Sequence, residues 1–237
     1  MKKIVTYVVL ALVSLLTLAP VIWTILSSIR PPSESLSTDG SLIPSSLDFS
    51  SYPAVFEKVD MWLLILNSVL VTGIIAVGQM LSSAMAGYVF ARFEFRSKNL
   101  LFALILATMM VPMQVTIVPV FMLIRGMNLA DTLLALILPA IPTAFGTFLM
   151  RQYFIRLPAE LGEASEIDGA TPWRTFASIY APLVTPGMAI VGILAFNFHW
   201  NEFFWPLILT KLQSVRLGFM KKNNLSGKYS YKRGQQV

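Results

Sequence analysis

Five long uncharged segments alternate with shorter charged ones along this chain of 237 residues. They are Ile4–Ile29, Met61–Ala91, Asn99–Ile124, Thr132–Met150 and Thr175–Asn201, with 26, 31, 26, 19 and 27 residues. A membrane-spanning helix needs about 20 mostly apolar residues, and the backbone in lipid must satisfy its own hydrogen bonds. The pattern therefore predicts an all-α integral membrane protein, a polytopic helical bundle. The predicted spans of this one domain (1–210) cover residues 4–29, 63–91, 100–124, 132–150 and 183–209.

The segment from Leu157 to Pro182 is polar, so it is predicted to fold outside the lipid as two short helices joined by a turn. Pro158 suits the first position of the first helix. Asp168-Gly169 is typical of a helix end, because glycine readily adopts the left-handed conformation there. Thr171 then caps the second helix, with Pro172 at its first position. The predicted apolar faces are Leu161, Ala164 and Ile167 in the first helix and Phe176, Ile179 and Tyr180 in the second.

The same segment carries an ordered set of small, acidic and aromatic residues. They are Glu163-Ala164-Ser165, Asp168-Gly169-Ala170, Phe176, Ile179 and Ala181-Pro182. This order closely resembles the EAA loop of ABC-transporter permeases, and only Ser165 and Ala181 depart from that pattern. Flanking sequences resemble the sugar-importing branch of the family. They are Val111-Pro112-Met113-Gln114, Phe148-Leu149-Met150-Arg151-Gln152 and Trp200-Asn201-Glu202-Phe203.

The resemblance covers roughly residues 1–210 and implies the fold of an ABC importer permease, with five spans here against six in the family. It implies a subunit that forms part of the translocation path for a sugar or oligosaccharide delivered by an extracytoplasmic sugar-binding protein. A second permease subunit, in a heterodimer, and a cytoplasmic ABC ATPase dimer are the other implied partners. Residues 151–182, called the EAA-like loop below, would dock the ATPase. The implied coupling residues are Glu163, Ala164, Ser165, Asp168, Gly169 and Ala170.

Composition and charge favour a membrane protein with a defined orientation. Only 13% of the residues are charged, against about 25% in soluble domains. With a cytoplasmic N-terminus, eight Lys and Arg residues of the first 210 lie on the cytoplasmic side and three on the other. Because basic residues concentrate in cytoplasmic loops, we expect a multi-pass protein of the bacterial inner membrane with its N-terminus and EAA-like loop in the cytoplasm. The first apolar segment exceeds the core of a signal peptide, about 7–15 residues, and is predicted to be a retained span.

The C-terminal residues 211–237 differ from the rest of the chain. They carry seven Lys and Arg and no acid, so the net charge of +6 leaves the first 210 residues at −1. The favoured interpretation is a frameshifted or truncated product whose tail is not family sequence, which would leave a defective permease without its last helix. In a second interpretation the fifth segment does not cross the membrane, and the tail therefore stays in the cytoplasm. A third has the tail bind anionic lipid headgroups.

Polar residues near the end of the fifth segment are the candidate substrate path: Asn197, Trp200, Asn201 and Glu202. Ionisable groups inside a span are costly and usually face a cavity or partner. Aromatic rings can stack on sugars while amides and carboxylates bond hydroxyl groups. The alternative is an interfacial aromatic belt with an anchoring acid. No metal site is expected, because His199 is the single histidine of the sequence and the chain has no cysteine.

The sequence contains no Walker A motif, since Gly227-Lys228 is followed by Tyr229 and lacks the upstream glycine. A partner must therefore supply ATP hydrolysis, and neither a cofactor nor a nucleic acid is expected to bind. The alternative function is a membrane-embedded enzyme acting on a lipid-linked substrate, which would need converging polar groups in the spans. The spans offer Asn67, Gln79, Gln114, Asn197, His199, Asn201 and Glu202.

Small residues also predict a helix contact within the second segment. Ser83 and Gly87 form a small-xxx-small pair, flanked by Ser82, Ala84 and Ala86. Such a face lets a neighbouring helix approach closely. This prediction concerns packing and carries no functional assignment.

Overall fold

The computed structural model describes residues 2–31, 34, 44–58 and 60–210, and every regular element in that part of the chain is helical. Two compact units are present, one ending at Met61 and the other beginning at Trp62. The helices are α1 (Lys2–Ser28), α2 (Ser51–Lys58), α3 (Met61–Arg92), α4 (Lys98–Thr108), α5 (Met113–Gly126), α6 (Leu134–Ile137), α7 (Ala144–Ile155), α8 (Glu160–Ile167), α9 (Pro172–Thr175), α10 (Ala181–Leu183), α11 (Thr185–Trp200) and α12 (Phe204–Leu209). A 3₁₀ turn, Leu138–Ala140, follows α6, and a π-helical turn, Phe176–Tyr180, joins α9 to α10.

The described residues of the first unit form one long apolar helix, α1, and a short helix, α2. The segment Lys3–Ser28 has a mean hydropathy of 2.4, and its most apolar stretch is not buried within the protein. The hydroxyl groups of Ser28 and Tyr52 lie 2.8 Å apart and join α1 to α2. Between the two helices, Asp48 accepts a 2.8 Å hydrogen bond from the backbone N–H of Ser50, which lowers the pKa of its carboxyl group. An uncovered helix of this length and composition is suited to a lipid environment.

Among the described residues, two single helices and three bent helix pairs are candidates to cross a membrane. Lys3–Ser28 and Met61–Arg92 are each long and apolar enough to cross a membrane. The other pairs qualify only together: α4 with α5, bent by 102°, α6 and its 3₁₀ turn with α7, bent by 43°, and Pro172–Leu183 with α11, bent by 77°. Up to five spans result if each bent pair is one span.

Prolines account for two breaks in the expected spans, of which the sequence indicates the one at Pro112 but not the one at Pro206. The expected span 100–124 is two helices, because Pro112 is extended (φ −60°, ψ 136°) at the start of α5 and a residue before proline disfavours helical geometry. The expected span 183–209 is likewise divided between α11 and α12. Pro206 has no N–H to bond the carbonyl of Glu202. The Glu202 carboxylate instead accepts the N–H groups of Phe204 (2.8 Å) and Trp205 (3.3 Å), which starts a new helix.

Two apolar clusters organise the second unit. One lies where α3, α7, the π-helical turn and α11 meet: Ala84, Tyr88, Met150, Phe154, Phe176, Tyr180, Val184 and Val191. The other joins α3, α5, α6 and α12: Val71, Ile75, Ile124, Ala135, Leu136, Ile137 and Leu209. The first cluster supports the EAA-like loop, and the second lies beside a cleft between α3, α7 and α11.

The predicted close contact at Ser83 and Gly87 is confirmed, and its partner is α7. A Cβ atom on Gly87 would stand 2.6 Å from the Met150 Cβ and 2.8 Å from the backbone nitrogen of Arg151. A Cβ on Gly146 would collide with the Ser83 hydroxyl. The small residues therefore allow the backbones of α3 and α7 to approach within a distance that larger side chains would prevent.

Candidate functional site

The EAA-like loop forms the predicted pair of helices joined at Gly169. Gly169 has φ +72°, the left-handed conformation predicted for the end of the first helix. Thr171 caps α9 as predicted, because its hydroxyl oxygen accepts the N–H of Arg174 at 3.3 Å. The predicted role of Pro158 is wrong. The first helix begins at Glu160, where the carbonyl of Ala159 accepts the first N–H bonds, and α7 continues past the expected start of the loop to Ile155.

The packed face of α8 differs from the predicted one. Ser165 is 4% exposed, whereas Ala164 is exposed and Ile167 is 85% exposed. The Ser165 hydroxyl donates to the Gly162 carbonyl at 2.7 Å and lies 2.9 Å from the Thr175 hydroxyl. These hydrogen bonds turn Ser165 inwards with Leu161, four residues earlier. The departure from the Glu-Ala-Ala pattern at Ser165 thus provides the polar contact between α8 and α9.

Two of the three residues predicted for the apolar face of the second half of the loop, Phe176 and Tyr180, anchor it, whereas Ile179 is only partly buried. Phe176 and Tyr180 are buried at the two ends of the π-helical turn. The Tyr88 ring from α3 lies between them, with ring centroids 5.2 Å from Phe176 and 5.4 Å from Tyr180. Single π-helical turns are rare and occur frequently at functional sites. Here the turn directs both rings into the apolar cluster below the loop.

The outer surface of the loop combines acids and large apolar side chains. Glu163 and Asp168 are exposed, and Ala170 is partly buried. Ile167 and Trp173 lie on either side of Gly169 and are 85% and 62% exposed. The Trp173 ring is held against Phe176 with a centroid separation of 5.4 Å. An exposed aromatic residue fixed in this way is typical of residues that contribute strongly to protein interfaces.

A second candidate region is a cleft of about 780 Å³ between α3, α7 and α11, with a mostly apolar lining that carries several polar side chains. Of the predicted path residues, Asn197, Asn201 and Glu202 line it. Trp200 does not, since its ring stacks on Phe196 at 5.7 Å and 13° and is 46% exposed. The Asn201 amide donates to the backbone and side-chain oxygens of Asn197, both at 2.8 Å. The structure thus brings three of the four predicted residues to one cavity.

Gln79 also lines this cleft, although the sequence argument did not assign it to the path. Its Nε2 atom donates to the Ala140 carbonyl at 2.7 Å and lies 3.2 Å from the His199 Nε2 atom. The available signal was an amide in the middle of an uncharged segment, which usually faces a cavity. Spacing alone could not show that it meets a residue 120 positions later.

A smaller cavity of about 190 Å³ adjoins the cleft and shares His199 and Glu202 with it. Trp205 lines the smaller cavity, and its Nε1 atom donates to the Met113 sulfur at 3.1 Å. Within the described residues, no group of three or more His, Cys, Asp or Glu side chains is arranged to hold a metal ion. The polar groups here are suited to hydrogen bonding with a neutral polar solute.

Comparison with known proteins identifies the family that the sequence of the loop resembles, the permeases of ABC transporters. Residues 79–226 match the family described as "binding-protein-dependent transport system inner membrane component". This match extends past residue 210 to residue 226. The structure does not test the predictions for the tail, because residues 211–237 lie outside its described part.

Individual relatives are similar over most of their length. The arabinooligosaccharides transport system permease protein AraQ of Halalkalibacterium halodurans is 35% identical over 204 residues, or 85% of this chain and 73% of that protein. The lactose transport system permease protein LacG of Rhizobium radiobacter is 31% identical over 230 residues, or 97% of this chain and 84% of that protein. Both are transport permeases, and the alternative of an enzyme acting on a lipid-linked substrate finds no support in them.

A solved structure extends the similarity to the fold. It is a bacterial ABC transporter involved in the import of the acidic polysaccharide alginate. Its matching chain has a TM-score of 0.79 and 26% identity, with 90% of this chain and 76% of that chain covered. The chain therefore belongs to the family of inner membrane components of binding-protein-dependent transport systems, the all-helical permease subunits of ABC importers.

Proposed function

We propose that this permease carries a sugar or oligosaccharide delivered by an external binding protein. A separate ATPase dimer powers the transport by docking on the EAA-like loop. The observation that carries the docking proposal is the exposed pair Ile167 and Trp173 beside the Gly169 turn, with the Trp173 ring packed on buried Phe176. The substrate class is supported by the relatives named for arabinooligosaccharide and lactose transport. A second permease subunit completes the proposed complex.

Substitutions in the loop test the docking role of Glu163, Ala164, Ser165, Asp168, Gly169 and Ala170. Gly169→Val is expected to lower ATPase co-purification and uptake, because a β-branched residue at φ +72° costs about 1 kcal/mol or more. Glu163→Lys should have the same effect by reversing an exposed charge of the proposed interface. Gly126→Val is the matched control, since Gly126 has open space around it and ends α5 outside the loop. Unchanged co-purification and uptake in both loop variants would refute the docking role.

The proposed orientation places the N-terminus, residues 92–99 and the EAA-like loop in the cytoplasm. Because the chain has no cysteine, single cysteines at Ser46, Ser97 and Ala164, all exposed positions, report the side of the membrane. Ala164 is preferable to its neighbour Ser165, which is buried. A membrane-impermeant maleimide applied to intact cells should label only the Ser46→Cys variant. Labelling of Ala164→Cys from outside would reverse the proposed orientation.

The proposed substrate path runs through the cleft lined by Asn197, Asn201 and Glu202. Asn201→Ala removes an amide from the cleft and is expected to raise the KM for uptake about tenfold. The amount of assembled transporter should stay close to that of the parent protein. Trp200→Leu is the matched comparison from the same helix end, because Trp200 lies outside the cleft lining. The measurement is uptake of radiolabelled arabinotriose and lactose by the assembled transporter. Equal KM values for Asn201→Ala and the parent protein would remove the cleft from the path.

A further inference from the structure

We propose that Arg92 is a positioning residue that transmits movement of the EAA-like loop to α3, the helix that carries Gln79 in the cleft. This inference rests on the docking function proposed above. Arg92 is the last residue of α3 and lies beneath the loop rather than on its exposed surface. Its side chain contacts both ends of the loop at once.

The guanidinium of Arg92 caps the helix that leads into the loop. Its terminal Nη2 atom donates to the carbonyl oxygens of Phe154 and Leu157, both at 2.7 Å. Phe154 lies in the last turn of α7 and is fully buried, and Leu157 follows the end of that helix. The final carbonyls of a helix lack intrahelical partners, and a positive charge beside them is favoured by the helix dipole. Arg92 thereby fixes the start of the loop to α3.

The same guanidinium holds the far end of the loop. Its central carbon lies 4.8 Å from the ring centroid of Tyr180, which is 2% exposed, a separation within the range of a cation–π interaction. The Tyr180 hydroxyl in turn lies 2.8 Å from the point where a Cβ on Gly162 would stand, so α8 rests on this ring. A shift of α8 would therefore press on Tyr180 and, through it, on Arg92.

From Arg92 the connection to the cleft is a single unbroken helix. α3 is continuous over 32 residues, and Gln79 lies about 20 Å from Arg92 along it at 1.5 Å per residue. A rigid helix held at one end by the loop and bonded near the cleft to His199 would move Gln79 when the loop moves.

The contacts of Arg92 require a guanidinium. One terminal nitrogen donates to both carbonyls while the planar face of the group lies over the Tyr180 ring. The compact ammonium of lysine does not reproduce this combination. The Nε atom of Arg92 is buried without a hydrogen-bond partner among the described residues, and a buried unpaired N–H is unfavourable. The position of the Arg92 side chain therefore leaves one of its own donors unsatisfied, which is consistent with a positional role.

The test measures the response of the cleft to the nucleotide state of the complete importer. A single cysteine in place of Leu194, which lines the cleft, reports accessibility as the rate of maleimide labelling, with and without trapping by Mg-ATP and orthovanadate. In the parent protein trapping should change this rate at least fivefold. With Arg92→Gln or Arg92→Lys the change should fall below twofold, while the ATPase co-purifies in the parent amount. A second probe, Ala164→Cys on the loop, should remain protected by the ATPase in both variants.

Arg151→Gln is the matched control. The Arg151 Nε donates to the Phe90 carbonyl at 3.1 Å, and its guanidinium lies 4.4 Å over the Phe102 ring. Arg151, in α7 at the start of the EAA-like loop, thus makes the same kinds of contact as Arg92, but with α3 and α4. This variant should keep the fivefold response. The inference is overturned if the Arg92 variants keep the parent response, if Arg151→Gln loses it equally, or if the parent shows none. Absence of ATPase protection at Ala164→Cys in the parent would instead contradict the docking function itself.

Discussion

Replacing Gly87 by leucine is expected to prevent α3 and α7 from packing and to leave little folded protein in the membrane. The first atom of any side chain at this position would lie 2.6 Å from the Met150 Cβ and 2.8 Å from backbone atoms of Met150 and Arg151. Backbone cannot yield as a flexible side chain does, so the cost should reach the upper end of the roughly 1–3 kcal/mol typical of overpacking, or exceed it. The measurement is the apparent Tm in detergent and the yield of monodisperse protein.

Gly73→Leu provides the control for that experiment. Gly73 belongs to the same helix, but among the described residues no atom beyond its chain neighbours and the nearby backbone of α3 lies within 4 Å of its Cβ position. Both substitutions change the intrinsic helix propensity equally, so the difference between them isolates the crossing of α3 and α7. Similar yields and Tm values for the two variants would mean that the close contact contributes little to the fold.

Removing both large side chains beside the Gly169 turn, Ile167→Ala with Trp173→Ala, is expected to weaken ATPase binding about a hundredfold. The two residues are 85% and 62% exposed in the chain alone, and Trp173 is already positioned by Phe176. Truncating a central aromatic residue of an interface typically costs about 2 kcal/mol or more, and each 1.4 kcal/mol is a factor of ten. Titration of the solubilised permease with labelled ATPase measures the change in Kd.

Ile155→Ala serves as the comparison for the double variant. Ile155 ends α7 and is 48% exposed, but it belongs to neither helix that flanks the Gly169 turn. Its replacement should change the Kd less than threefold while the Tm of both proteins stays near the parent value. Equal Kd values for the double variant and Ile155→Ala would show that the exposed pair does not contribute to docking.

The helical class and the outline of the loop could be predicted from the sequence because they depend on local rules. Uncharged segments of sufficient length specify helices in lipid. Glycine at the end of a helix and threonine at the start of the next are preferred at those positions, as at Gly169 and Thr171. The same local rules misplaced the start of α8, because Ala159 rather than Pro158 lies at its boundary. Boundaries of one or two residues depend on contacts that local patterns do not include.

The faces of the loop and the composition of the cleft could not be predicted because they depend on tertiary partners. Ser165 turns inwards because Thr175 meets its hydroxyl, and Ile167 is then left exposed. Gln79 joins the cleft because α11 brings His199 beside it. The sequence placed the two helices and their turn in the right segment, whereas the directions of the side chains required the fold.

The most direct test of the account is photo-crosslinking from the loop in the assembled importer. A benzoylphenylalanine introduced at position 167, the most exposed apolar residue of the loop, should crosslink to a subunit that carries a Walker A motif, identified by mass spectrometry. The same group at Leu47, in the first unit and 67% exposed, should give no such product. Crosslinking of the ATPase from position 47, or its absence from position 167 in a transport-competent complex, would contradict the proposal that this loop couples the permease to ATP hydrolysis.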